Sequence, residues 1–338
     1  MADFFRATMR DIIDIFAELG RRLATFGEDN ASQEVMARAM AENCWFTEGD
    51  IRYAAEALRD KMLDSAKLSN WLSHYPSVPS CQSRRVAIIR AGNIPLVGFF
   101  DLLCVLASGN IPCVKPSSKD FVLEEYVEGL LCNIEPSLQI ERYAEGENYD
   151  AVIATGGESA NLYFRTAFEG VPCLLRGSRH SVAVLSGKES EEDIKALADD
   201  IMLYGGLGCR NVSLLFVPRG CEVALPVRPM CRAYHNNYLQ CRALLTMRGE
   251  KFEDLGEVVL VRSEIAEFPR FLSQINLVEY DDIRDVEAWL SSHETALQCV
   301  VSTIKELHPR QVPFGEAQRP TLFDYADGCD TMQFLLSI

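Results

Sequence analysis

The chain has 338 residues, enough for two or three domains of the usual ~100–200 residues. Hydrophobic residues make up 48% and charged residues 24% of the sequence, which is close to the globular average and excludes a disordered protein. The 33 lysines and arginines stand against 49 acids, for a net charge of −16. With no surplus of cations to release counterions, this balance argues against nucleic-acid binding and against binding to anionic membranes.

The cysteines and the apolar stretches indicate the compartment. Twelve cysteines are spread along the chain without a C-x-x-C pair, and the N-terminus does not have the pattern of a signal peptide. The longest apolar stretch, Ile94 to Ala107, is interrupted by Asp101 and is shorter than the ~18 residues that span a bilayer. We therefore expect reduced thiols, a cytoplasmic location and no membrane span. The five histidines lack ligand spacing, so no metal site is expected.

The first third of the sequence predicts helices. Apolar residues recur at helical spacing over residues 9–23 and again over residues 51–66. A loop with two prolines follows at residues 76–80 and predicts a first domain boundary. We therefore expect an N-terminal helical segment over residues 1–80.

Beyond residue 80 the hydrophobic pattern alternates between strands and helices. Short β-rich runs predict strands near residues 86–90, 111–114, 138–141, 151–154, 171–175, 181–185, 212–217, 258–261, 278–280 and 298–302. Helices are expected near residues 95–107, 121–132, 159–168, 190–201 and 229–247. Strands that alternate with helices predict a parallel, doubly wound α/β sheet.

One glycine-rich segment is a candidate for chemistry. No P-loop, G-x-G-x-x-G, G-x-S-x-G or H-E-x-x-H motif occurs, but residues 205–211 read Gly-Gly-Leu-Gly-Cys-Arg-Asn. The glycines let the backbone approach a ligand closely, and Arg210 with neighbouring N–H groups would lower the pKa of the Cys209 thiol. Spacing alone leaves two interpretations open: a nucleophilic cysteine, or a turn that ends in a core cysteine.

A second pattern points to a family. Residues 92–95 (Gly-Asn-Ile-Pro) open an apolar helix, residues 107–110 (Ala-Ser-Gly-Asn) follow it, and the next strand ends in Lys-Pro-Ser-Ser at residues 115–118. Together with Cys209, this pattern resembles the aldehyde dehydrogenase superfamily. The tail over residues 312–330 is similar to the acyl-CoA reductase branch, which includes the fatty acyl-CoA reductase of bacterial luminescence. The N-terminal helical segment adds nothing to the resemblance.

The resemblance implies roles for individual residues. Cys209 would attack a thioester carbonyl, and the Asn93 side-chain amide with the Cys209 backbone N–H would hold the oxyanion; Asn93 could instead cap the following helix. Lys115 would bond the adenosine ribose or a phosphate, with a solvated surface lysine as the alternative. The implied cofactor-binding residues are Lys115, Ser117, Ser118, Thr155, Gly156 and Gly157. For the two glycines, a plain turn is the alternative.

The implied fold is α/β and aldehyde-dehydrogenase-like, with a Rossmann-like parallel sheet domain and a second α/β catalytic domain. We expect the nicotinamide-cofactor domain at residues 81–180 with residues 1–80 packed on it, the catalytic domain at 181–311, and a tail at 312–338 that packs back. The implied reaction reduces an acyl thioester, on coenzyme A or an acyl carrier, to an aldehyde through S-acyl-Cys209. Acyl-phosphate reduction and a catalytically silent binding protein are the alternatives, and a homo-oligomer is compatible with the sequence.

Two departures from the family pattern carry further expectations. Members that prefer NAD often carry a Glu three residues after the lysine, where this chain has Ser118. NADP(H) is therefore expected over NAD(H), since no carboxylate repels a 2′-phosphate. Oxidising members carry a water-activating Glu in a Leu-Glu-Leu-Gly-Gly stretch, and its place here falls at Leu175 or Arg176. Neither is a general base at neutral pH, so slow hydrolysis of the acyl-enzyme is expected, with Glu257 as a candidate substitute base.

Overall fold

The computed structural model describes residues 9–76 and 83–338. The chain divides into two compact units: the first runs to Ser178 and also contains Pro320–Ile338, and the second is Arg179–Arg319. The expected loop at residues 76–80 falls largely outside the described residues, so the boundary placed there stays a prediction. Within the described ranges, no helix is long and apolar enough to cross a membrane.

The first unit begins with four helices: α1 (Met9–Leu23), α2 (Asn30–Glu42), α3 (Glu48–Met62) and α4 (Ser65–Leu72). The helical prediction is confirmed, and the structure divides the expected stretch 51–66 between two helices. The division falls at Asp64, whose side chain accepts a hydrogen bond from the Lys67 N–H at 3.0 Å and so begins α4. Ile12, Phe16, Leu19 and Ile51 from the predicted apolar faces are buried in the core of the unit, whereas the side chain of Met9 lies outside the described residues.

A five-stranded parallel sheet follows the four helices in the first unit. Its strands are β1 (Arg85–Ile89), β2 (Ile111–Lys115), β3 (Glu141–Arg142), β4 (Ala151–Thr155) and β5 (Cys173–Arg176). The connecting helices are α5 (Phe99–Ala107), α6 (Phe121–Ile134) and α7 (Glu158–Ala167). The strand order β3-β2-β1-β4-β5 is Rossmann-like, and it reverses between β1 and β4, which is where open α/β sheets bind ligands.

The second unit contains a seven-stranded mixed sheet. Its strands are β6 (His180–Val184), β7 (Val212–Pro218), β8 (Glu253–Asp254), β9 (Val259–Ser263), β10 (Gln274–Tyr280), β11 (Leu297–Val301) and β12 (Gln311–Val312). The order is β12-β11-β6-β7-β10-β9-β8, and only the short β8 is antiparallel to its neighbour. The helices are α8 (Glu191–Met202), α9 (Arg232–Met247) and α10 (Ile283–Ser292), and α11 (Thr331–Leu336) follows in the first unit.

Two predicted helix starts are wrong. The helix expected from Pro95 begins at Phe99, because Leu96 has a left-handed backbone with φ +57° that cannot continue a helix. The helix expected from Pro229 begins at Arg232, since its N-cap, Cys231, is still extended. The tail expected at residues 312–338 is divided between the two units: residues 312–319 belong to the second unit, and Pro320–Ile338 belongs to the first.

Candidate active site

Cys209 lies on a sharply turned loop between α8 and β7. After α8 the chain makes a 3-10 turn over Leu203–Gly206, in which Tyr204, Gly205 and Gly206 all have positive φ, at +56°, +62° and +68°. Two glycines in a row make this left-handed path sterically accessible. The Cys209 side chain is exposed, so the alternative of a core cysteine is wrong.

The side chain of Asn211 holds this loop to the end of α8. Asn211 is 5% exposed, and its Oδ1 accepts a hydrogen bond from the Gly208 N–H at 2.8 Å. Its Nδ2 donates to the carbonyls of Asp200, Ile201 and Leu203 at 3.1, 3.1 and 2.9 Å. One amide therefore joins the residue before Cys209 to the carbonyls that α8 leaves unpaired at its C-terminus.

Asn211→Ala is expected to lower the free energy of unfolding by about 3 kcal/mol, because it leaves the partly buried Gly208 N–H and the carbonyls at the end of α8 without their side-chain partner. Chemical denaturation followed by circular dichroism measures the loss. The matched control is Asn236→Ala, an exposed position on α9, where a change within about 0.5 kcal/mol is expected. Equal small losses for the two variants would contradict the proposed role of the Asn211 amide.

A second contact supports the loop that carries Cys209. The fully buried Ser181 hydroxyl donates to the Cys209 carbonyl at 2.9 Å and lies 3.1 Å from Cys299 Sγ. Burial raises the pKa of the Cys299 thiol, and the nearby Arg210 guanidinium offsets this only in part. Cys299 is therefore a neutral, inert thiol. Neither Ser181 nor Asn211 was singled out for a role from the sequence, because both act through tertiary contacts.

Asn93 lies in the loop that follows β1. It is partly exposed, and the N-cap of α5 is Gly98 rather than Asn93. The alternative of a helix cap is therefore wrong. The loop is tightly packed, since a Cβ at Gly92 would lie 2.3 Å from Ser117 Oγ. The structure thus brings the Asn93 loop against the loop that follows β2.

Three of the expected cofactor residues lie at the end of β2 or in the loop that follows it. Lys115 is exposed at the end of β2, and its Nζ lies 5.4 Å from the centroid of the Tyr143 ring, within reach of a cation–π contact. Ser117 is partly exposed and Ser118 is exposed. These side chains stand at the carboxyl edge of the sheet, where a phosphate or ribose could approach them.

Thr155, Gly156 and Gly157 form the turn from β4 into α7. The Gly156 N–H donates to the Arg176 carbonyl at 3.1 Å, and a Cβ at Gly156 would lie 2.8 Å from the Ala160 Cβ. Gly156 therefore permits close packing of helix on strand. Gly157 is the N-cap of α7 and a Cβ there would meet no atom within 4 Å, so the helix N-terminus is open to an anion.

Comparison with known proteins identifies the family. The family model of the acyl-CoA reductases (LuxC) matches residues 55–226, which is just over half of the chain and includes Asn93, Lys115, Gly157 and Cys209. The chain belongs to the LuxC acyl-CoA reductase family. The protein is an oxidoreductase that acts on aldehydes or acyl-CoA.

Solved structures show the fold of this chain. Aldehyde dehydrogenase 21 from Physcomitrella patens, in complex with the product succinate, is 11% identical with a TM-score of 0.68, covering 97% of this chain and 84% of that chain. A NADP-dependent glyceraldehyde-3-phosphate dehydrogenase from Bacillus halodurans with NADP bound is 11% identical (TM-score 0.60, 88% and 74% covered). A Mycobacterium tuberculosis aldehyde dehydrogenase with NAD⁺ bound is 13% identical (TM-score 0.60, 88% and 74% covered). The aldehyde-dehydrogenase fold is confirmed. None of the curated proteins matches the chain.

In this chain, the position expected for a water-activating Glu carries no carboxylate. Arg176 is 6% exposed, and its Nη1 donates to both Asp101 oxygens at 2.7 and 2.6 Å while Nη2 donates to Thr331 Oγ1 at 2.8 Å. Burial disfavours the Arg176 cation, but Asp101 more than offsets this and raises its pKa. Arg176 is thus a fixed structural cation that ties β5 to α5 and to the C-terminal segment.

The candidate substitute base, Glu257, lies in the second unit. Its carboxylate is hydrogen-bonded to His235 Nδ1 at 2.9 Å. No group of three or more His, Cys, Asp or Glu side chains is gathered for a metal ion in the described part of the chain.

Proposed function

We propose that this protein reduces an acyl thioester to an aldehyde through an S-acyl-Cys209 intermediate. The observation that carries the proposal is the exposed Cys209 thiol on a left-handed, glycine-rich loop, inside the region that matches the acyl-CoA reductase family. Exposure and a neighbouring Arg210 suit a reactive thiol. The four buried thiols of the described residues, Cys104, Cys113, Cys241 and Cys299, have pKa values raised by burial.

The proposed chemistry proceeds in two stages. The Cys209 thiolate attacks the thioester carbonyl, a new C–S bond forms, and the bond to coenzyme A breaks to release its thiolate. The Asn93 amide and the Cys209 backbone N–H are the proposed donors to the oxyanion of each tetrahedral stage. A reduced nicotinamide, when bound, would supply the hydride for the acyl carbon. Cleavage of the Cys209 C–S bond then returns the thiolate, so acyl-CoA, reduced cofactor and one proton give aldehyde, coenzyme A and oxidised cofactor.

The nicotinamide site is proposed at the carboxyl edge of the five-stranded sheet. Lys115, Ser117 and Ser118 would hold the adenosine ribose and its phosphate, and Thr155, Gly156 and Gly157 would face the pyrophosphate. The open space at Gly157 and the exposed Lys115 fit such a group. Similar folds are seen with NADP and with NAD⁺, so this chain's own residues decide the choice, and we propose NADP(H).

Ser118→Glu is expected to lower the kcat/KM for NADPH by about 10-fold or more, because a carboxylate there repels the 2′-phosphate, and to favour NADH relative to it. Steady-state kinetics with both cofactors measures the ratio. The control Ser73→Glu adds the same charge at another exposed position of the first unit and should leave the ratio unchanged. A wild-type enzyme with clearly higher kcat/KM for NADH would contradict the proposed preference.

Intact-mass spectrometry after incubation with a panel of acyl-CoAs tests the proposed reaction directly. We expect the mass of one acyl group to be added to the wild-type chain and to map to Cys209. An adduct from acyl phosphate but not from acyl-CoA would favour the alternative substrate class. No adduct from either class would contradict the covalent mechanism.

We also propose a reducing compartment for the reaction. All eleven cysteines in the described residues are free thiols, which supports a reducing compartment such as the cytoplasm. The acyl carrier would be coenzyme A or a carrier protein. A homo-oligomer is compatible with the acidic, α/β architecture.

A further inference from the structure

Asp120 stands at the N-terminus of α6 without capping it. It is the N-cap residue of that helix, but its side chain makes no capping hydrogen bond. The other aspartates at N-caps accept a hydrogen bond from their own helix: Asp29, Asp64, Asp282 and Asp330. Because a capping bond stabilises a helix, a different contact must direct the Asp120 carboxyl.

That contact is with the loop that follows β1. Asp120 is 2% exposed, and its Oδ2 accepts a hydrogen bond from the Leu96 N–H at 2.6 Å. Leu96 has φ +57°, a left-handed conformation that costs free energy for leucine and persists only where the surroundings enforce it. The Leu96 side chain is itself 5% exposed. The Asp120 carboxyl therefore fixes the turn three residues after Asn93.

The same residue joins this turn to the loop after β2. The Asp120 N–H donates to the Ser117 carbonyl at 3.2 Å, and a Cβ at Gly92 would lie 3.1 Å from the Asp120 nitrogen. Asp120 thus accepts a hydrogen bond from Leu96, leaves little room for a side chain at Gly92, and closes the turn that carries Ser117 and Ser118.

Burial and the neighbouring charges shift the protonation equilibrium of the Asp120 carboxyl group. Burial and the neighbouring Glu124 raise the pKa of Asp120 to about 8, against the opposing effects of the Leu96 N–H and Arg90. Arg90 lowers the pKa of Asp120 only slightly, because its guanidinium is paired with two other carboxylates. Its Nη1 lies 2.7 Å from Glu128 and 3.4 Å from Glu124. The raised pKa favours the protonated carboxyl, and an asparagine amide has nearly the shape of that group and an oxygen that can accept the same hydrogen bond.

We propose that Asp120 is a positioning residue for the reaction. By holding the Leu96 N–H it fixes the Asn93 amide, and it keeps the Asn93 loop seated on the Lys115–Ser118 loop, so that the proposed oxyanion donor and cofactor residues form one rigid group. This inference rests on the proposed function, because Asp120 acts on the reaction through Asn93 and Lys115, and their roles are part of that proposal.

Three variants test the role of Asp120. Asp120→Ala removes the acceptor, Asp120→Asn keeps it, and Asp64→Ala is the matched control, because it removes an aspartate that caps its own helix in the same unit. The measurements are the rate of Cys209 acylation by acyl-CoA, the Kd for NADPH, and hydrogen exchange of the peptide over residues 92–98.

We expect Asp120→Ala to slow acylation about 10- to 100-fold, the scale of a misplaced oxyanion donor, to weaken NADPH binding several-fold, and to speed exchange over residues 92–98. Asp120→Asn should recover at least about a third of the wild-type acylation rate, since its amide oxygen can still accept from the Leu96 N–H. Asp64→Ala should lower thermal stability without slowing acylation or speeding that exchange.

The outcomes separate this inference from the proposed function. A wild-type protein that takes up no acyl group on Cys209 overturns the proposed function. A wild-type protein that is acylated, beside an Asp120→Ala variant acylated equally fast, overturns the role of Asp120 alone. An Asp120→Asn variant as slow as Asp120→Ala would also overturn it, because the acceptor oxygen would then not be what matters.

Discussion

Cys209→Ala is expected to abolish turnover while leaving the fold and nicotinamide binding intact. Loss of a covalent nucleophile removes the only route to the acyl-enzyme, so a fall in kcat on the order of 10⁴-fold or more is expected. The fold should tolerate the change because the Cys209 side chain is exposed, and an exposed small-to-smaller substitution changes stability little. The loop itself is held through Asn211 and Ser181, which remain in place.

Steady-state kinetics, NADPH fluorescence titration and circular dichroism measure the three parts of this result. The matched control is Cys132→Ala, which removes another exposed thiol and should retain full activity. The alkylation rate is a separate readout, since the Cys209 thiol should react faster than the other cysteines. An alanine variant at position 209 that still reduces thioesters would rule out the covalent mechanism.

Elements determined by nearby residues could be predicted from the sequence. The helix expected near residues 190–201 is present as α8, and it starts with a capping box, in which the Ser190 hydroxyl accepts from the Asp193 N–H at 3.1 Å and the Ser190 N–H donates to Asp193. Such contacts span only three residues, so the local sequence contains both partners. The alternation of strands and helices likewise predicted the parallel sheets, because buried strands read as continuous apolar runs.

Features that depend on distant partners could not be predicted. The start of α5 was misplaced because Asp120, 24 positions further along the chain, holds Leu96 in a conformation that its local sequence does not favour. Asp101 was seen only as a charge that interrupts an apolar run, whereas it pairs with Arg176, 75 positions away. A buried charge is stable only when it is paired, and a single sequence does not reveal which residue is its partner.

In the candidate site, too, some residues could be predicted from the sequence and others could not. Family motifs singled out Cys209, Asn93 and Lys115, since those residues meet substrate or cofactor in the families they resemble. Supporting residues such as Ser181 carry no motif, because their role is to contact the backbone of a loop from another strand. A serine occurs at many kinds of position in a protein, so the residue type alone does not indicate a supporting role.

Given an aldehyde and oxidised cofactor, the enzyme is expected to make acyl-CoA when coenzyme A is present and little free acid when it is absent. Hydrolysis of S-acyl-Cys209 needs a base to activate water, and loss of such a base typically slows it about 10²- to 10⁴-fold. Leu175 has no proton acceptor, and the Arg176 guanidinium is fixed by Asp101 with a raised pKa. Thiol exchange and hydride transfer should therefore outrun hydrolysis.

Glu257 is the carboxylate that could supply the missing base, and its geometry makes the test specific. It is hydrogen-bonded to His235 Nδ1 at 2.9 Å, so its oxygen is already engaged and activation of water would require that bond to be shared. We expect Glu257→Gln to leave the slow rate of acid formation unchanged, measured by product analysis with and without coenzyme A. Rapid, multiple-turnover acid formation by the wild-type enzyme would show that a water-activating base exists. A loss of that activity in Glu257→Gln would identify Glu257 as the base, because the amide keeps the shape of the side chain but cannot accept the proton of water.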